Sequence, residues 1–108
     1  MPFNVVFSEL AEKQYDAILS YVANTLKNPQ ALKNIMDDFD ETVEKLENQA
    51  DTFGYCKSKR LRELNLHRIG FARHRYLFVY RIHENQVIIE GMYHELQGVS
   101  QSLCKPPN

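Results

Sequence analysis

The chain has 108 residues, 44% of them hydrophobic and 25% charged, with a formal net charge of −1 at pH 7. That length suits one domain around one core, and the composition excludes a disordered, collagen-like or disulfide-stapled chain. No apolar run approaches the roughly 20 residues that span a bilayer, and the N-terminus lacks the basic and apolar regions of a signal peptide, so a cytoplasmic protein without membrane contact is expected.

"FNVVF" at residues 3–7 is a short β-rich run. Ser8 follows as a helix N-cap, and Ala11, Tyr15, Ile18, Leu19, Val22 and Leu26 keep a helical stripe. In "KNPQ", Asn28 can cap a second helix with Pro29 in its first position. Leu32, Ile35, Met36, Phe39, Val43 and Leu46 carry the second stripe, and most of the acids between Asp37 and Glu47 lie off it. Helices near 8–27 and 29–48, joined this tightly, predict an antiparallel hairpin. Residues 48–59 read as a loop, and strands are expected at about 61–69, 74–83 and 86–93, with a tight turn at 83–85. The tail from about 98 is weakly apolar, ends in Pro-Pro-Asn and is expected to be loosely held. This order predicts a single α+β domain: an N-terminal strand, a two-helix hairpin, then a three-stranded antiparallel sheet covered by the helices on one face.

Charge is divided along the chain. Residues 1–50 carry four Lys against nine Asp/Glu, and residues 51–108 carry nine Lys/Arg against five. Eight basic residues and one acid, Glu63, lie between Lys57 and Arg81. Such a split suggests an anionic partner for the second half. In "RHRYLFVYRIH" (73–83), Tyr76, Phe78, Tyr80 and Ile82 fall on one strand face, and Arg73, Arg75, Arg81 and His83 on the other. The aromatic face should pack on the helices, leaving a solvated basic sheet face open. His67 and His83 read as surface residues. Cys56 and Cys104 match no metal spacing and read as free thiols. No metal site or other cofactor is expected.

With this order and these strands, the chain resembles the RelE/ParE superfamily of type II toxin–antitoxin toxins. The resemblance runs through "VVFSELAEKQYDAILSYV" (5–22) and above all "LHRIGFARHRYLFVYRIHENQVIIEGMYHELQ" (66–97). It implies the β-α-α-β-β-β fold, a cytoplasmic toxin, and a cognate antitoxin partner. One branch cleaves mRNA on the ribosome; another inhibits DNA gyrase without chemistry of its own; further members are inactive or uncharacterised, and an inactive homologue that only binds its antitoxin is a third expectation for this chain.

For ribosome-dependent mRNA cleavage, a base and an acid must move protons while cations stabilise the phosphate. Arg75, Arg81 and Arg68 are the cations expected there, and His94 the acid or base, with Lys57, Lys59, Arg60, Arg62 and Arg73 as nucleic-acid contacts. For gyrase inhibition the same basic face and the tail would be binding contacts. Two positions depart from the family: Leu77 stands where the ribonuclease branch carries an arginine, and Gly98 where the gyrase branch carries an aspartate. The antitoxin segment is expected to be acidic and amphipathic. It could lie on the helical hairpin, add a strand near 61–69, or cover the basic face.

Overall fold

The computed structural model describes residues 3–56 and 59–95; the tail, Lys57 and Cys104 lie outside them. Strand β1 spans Asn4–Phe7 and helix α1 Glu9–Ser20. Ser8 starts the helix as expected, its Oγ accepting the Ala11 N–H at 3.0 Å. After Ser20 the coil widens into six residues of π-helix, Tyr21–Leu26, and Lys27 closes it in the left-handed conformation (φ 49°). Asn28 then caps α2, Pro29–Gln49, through Oδ1 and the Ala31 N–H at 3.0 Å. A single turn of 3₁₀-helix, Ala50–Thr52, ends this layer.

The sheet holds β2 (His67–Gly70), β3 (Tyr76–His83) and β4 (Gln86–His94) as antiparallel neighbours. β1 joins them parallel to β4, giving the order β1-β4-β3-β2. Beyond Ile89 no strand among the described residues lies beside this edge of β4, and α1 takes over. Ser8 Oγ donates to the Glu90 carbonyl at 2.8 Å, and Gln14 Oε1 accepts the Met92 N–H at 2.7 Å. Glu90 is the extra residue of a bulge, because Val79 opposes Gly91 and Tyr80 opposes Ile89. The bulge keeps Tyr93 on the face away from the helices. Gly91 makes room for its ring: a Cβ there would lie 2.6 Å from the Tyr93 ring.

The helix-facing side of the sheet holds the main core. Phe39 sits among Phe7, Tyr15, Phe71 and Phe78, with its ring 3.8 Å from that of Tyr15. Tyr80 is fully buried there and donates its hydroxyl to the Ala50 carbonyl at 2.7 Å. The aromatic side of β3 therefore packs on the helices, as its alternation predicts.

The opposite face is not the open surface expected. Leu77 and Val79 are buried there with Cys56, Leu61, Leu66 and Tyr93 in a second, smaller core. Its cover includes the loop ending at Cys56 and a short helix α3, Lys59–Glu63. The residues expected to run as one strand from 61 to 69 thus form a helix, a turn and only then β2. Asn65 adopts φ 60°, which ends the helix. The Leu66 N–H returns to the Leu61 carbonyl at 3.0 Å and the Asn65 N–H to Arg62 at 2.9 Å, a Schellman closure. The same loop closes the free side of β2. The Arg68 N–H donates to Gly54 and the Cys56 N–H to Leu66, at 3.0 and 2.8 Å. Strand addition by a partner near 61–69 would have to displace these bonds.

Candidate functional site

Register decides which cations share a surface. Arg68 pairs with Val79, and Arg81 lies two residues further along β3, so both side chains leave the outer face of the sheet. Direct neighbours across a ladder share a face, and a diagonal pair of this kind has Cα atoms about 7–8 Å apart. Arg75 precedes β3 but continues its ladder, since the Glu95 N–H donates to the Arg75 carbonyl at 2.7 Å. Alternation carried back from Leu77 would put its exposed side chain on the outer face as well, about 20 Å from Arg81 along the chain. Lys59, Arg60 and Arg62 are exposed on α3, whose Leu61 is buried on this side. Basic side chains therefore border the second core instead of lining a bare sheet. Arg81 has an acid beside it, with its Nε 3.7 Å from Glu90 Oε2.

His94 lies on the other face. Two residues after Met92 of the main core, it pairs with Tyr76, and the two rings meet edge to face at 5.4 Å. Burial raises the Tyr76 phenol above its ordinary value, and Tyr21 of the π-helix, close by, adds to the rise. The three arginines and the histidine expected to work together are thus separated by the thickness of the sheet. His67 is buried, contrary to its reading as a surface residue. It lies in an aromatic row between Tyr55 and Tyr80, at ring distances of 4.1 and 5.3 Å. Its Nδ1 is 3.0 Å from the Phe53 carbonyl, which can only accept, so that nitrogen carries the proton.

Arg73 is not on the basic face either. Residues 71–75 form the loop between β2 and β3, and α2 grips it. Asp38 is fully buried and takes the Ala72 N–H at 3.2 Å, the Arg73 N–H at 3.0 Å and His74 Nδ1 at 2.7 Å. Arg73 Nη1 reaches Glu41 Oε2 at 2.6 Å. Burial works against the Asp38 charge, but the His74 hydrogen bond and the two backbone amides outweigh it and hold the carboxyl below its ordinary value. Sequence reasoning missed Asp38. One signal was available: Ile35, Asp38, Thr42 and Leu46 share the buried stripe of α2, so an acid stands at a core position.

The same clasp forms an open cleft of about 540 Å³ lined by Asn34, Asp37, Glu41, Arg73 and His74. Among the described residues no group of three or more His, Cys, Asp or Glu could hold a metal ion. No helix among them is long and apolar enough to cross a membrane.

The fold and the sequence each match known proteins. A solved structure of the chromosomal ParDE toxin–antitoxin system from P. aeruginosa superposes with a TM-score of 0.70 and 16% identity, over 86% of this chain and 96% of that chain. At that identity the likeness is one of fold. No curated protein sequence matches the chain. The model of the family described as the ParE toxin of the type II toxin–antitoxin system parDE matches residues 5–95. The chain belongs to the ParE toxin family of type II toxin–antitoxin systems.

Proposed function

We propose that this chain is a growth-inhibiting toxin that acts on DNA gyrase by binding and without chemistry of its own. A cognate antitoxin would hold it inactive. The observation that carries the reading is the split across the sheet. Arg68 and Arg81 share the outer face, with Arg75 exposed just before β3, whereas His94 sits on the inner face against Tyr76. Metal-free RNA cleavage needs a proton-transfer group within hydrogen-bond reach of the reacting phosphate that the cations hold. A histidine behind the sheet cannot serve phosphates bound in front of it. A binding surface has no such requirement. Cations spread over roughly 20 Å along β3 suit an extended anionic partner better than one phosphate.

The test is to titrate purified toxin against gyrase supercoiling and, in parallel, against translating ribosomes with mRNA 5′ ends mapped. The proposal expects supercoiling to fail at toxin concentrations that leave mRNA uncut. Ribosome-dependent cuts with unaffected gyrase would replace it with the mRNA-cleavage reading.

A further inference from the structure

We infer that Asp38 is a positioning residue for Arg75, and that α2 sorts the three basic side chains of the loop "RHR" (73–75) between the two faces of the molecule. The inference rests on the proposed reading only in taking Arg75 as a contact to the toxin's target. Three consecutive potential cations on a short loop repel one another and have no intrinsic reason to point in defined directions. Asp38 supplies the reason. It is a fully buried carboxylate in the middle of a 21-residue helix, and all three of its recorded bonds go to this loop. Two of them fix consecutive backbone amides, so the path of the chain at residues 72–73 is set by α2.

The third bond draws His74 inward, leaving its side chain 24% exposed. Glu41 draws Arg73 to the same side. Both groups are thereby held at the helical layer. Arg75 comes next, exposed and with its carbonyl held by the Glu95 N–H, and alternation continued back from β3 would send its side chain to the outer face. Among the described residues no ion pair to Arg75 is recorded. It is the loop cation left for a partner, and its base is anchored on one side by Asp38 and on the other by β4. Without Asp38 the loop would lose its anchor. Arg73, His74 and Arg75 would then exchange positions, and the partner would have to order them on binding at its own entropic cost.

A double-mutant cycle tests this, read as the toxin dose for half-maximal growth arrest and as inhibition of purified gyrase. All variants are compared at a temperature where circular dichroism shows them folded. Arg75→Ala should weaken the toxin about tenfold or more, and Asp38→Asn by a similar factor. The double variant should be no weaker than the worse single one, because Asp38 acts through a side chain already removed. If the two losses multiply, Asp38 is a structural residue alone and the inference falls. It falls equally if Asp38→Asn arrests growth as the parent does, or if Arg75→Ala has no effect. Should Asp38→Asn not fold, His74→Ala takes its place by removing one of the three bonds. It should cost several-fold in the parent and nothing in the Arg75→Ala background, and an equal loss in both would overturn the inference. Growth arrest reports the coupling whatever the target is. Intact coupling there, with gyrase unaffected, counts against the gyrase reading and not against the role of Asp38.

Discussion

Asp38 combines full burial, a charge and three hydrogen bonds to a distant loop, so its replacement should be felt strongly. Asp38→Asn keeps the shape but loses the charge-assisted bonds, and should cost about 2–3 kcal/mol of stability, measured by urea unfolding at neutral pH. The sign of its pH dependence follows from the lowered carboxyl. The folded state binds that proton less readily than the unfolded chain, so the stabilisation is present above the ordinary value of 3.8 and is lost as pH falls through the folded value. The gap in stability between parent and Asp38→Asn should therefore stay constant from pH 7 down to about 5 and close below about 4. A gap that closes near pH 6 would place the titration on another group. By contrast, Arg73 and Glu41 are partly exposed, and Glu41→Gln should change stability by less than about 1 kcal/mol in the same assay.

Among the elements, α3 has the most leverage for its size. Its five residues include Leu61, which is 2% exposed and fills the second core against Leu77 and Val79. Leu61→Ala should cost about 2–4 kcal/mol, with increased proteolysis around residues 56–66 as the checking measurement. This is also where sequence reading went astray. The helix caps at Ser8 and Asn28-Pro29 were legible because capping chemistry is local. The aromatic face of β3 was legible because period 2 is unambiguous over eight residues. "LRELNLHRI" carries no such clean period, since its apolar residues fall at 61, 64, 66 and 69, and its first half served a different end. Leu61 and Leu66 meet on one core through a helix and a left-handed Asn65, not along a strand. Five helical residues are too few for a 3.6-residue period to declare itself. Only tertiary contact with Leu77 and Val79 selects the turn, and that contact was also what closed the supposedly open face.

At the scale of the whole molecule, the sheet separates two chemistries. The two long helices with Asp38 and Glu41, and His94, belong to one side; Arg68, Arg81 with Glu90 beside it, and α3 belong to the other. The sequence put Arg73 on one face with Arg75 and Arg81, whereas α2 holds Arg73 on its own side, and the separation of His94 from Arg68 and Arg81 was not legible either. A bulge at Glu90 shifts the phase of β4, and counting alternate residues from Val87 without it puts His94 on the wrong side. A cognate antitoxin that reads the outer face should bind faster at low ionic strength than at high, by tenfold or more between about 50 and 500 mM salt, whereas one seated on the helices should not. Stopped-flow association across that range checks it. Purified gyrase supercoiling assays on two variants with melting curves like the parent's show whether the outer face acts by binding alone. His94→Gln should inhibit gyrase as the parent does, while the triple variant Arg68→Ala, Arg75→Ala, Arg81→Ala should need at least about tenfold more protein. Loss of inhibition in His94→Gln, with the triple variant fully active, would show that the outer face is not the acting surface.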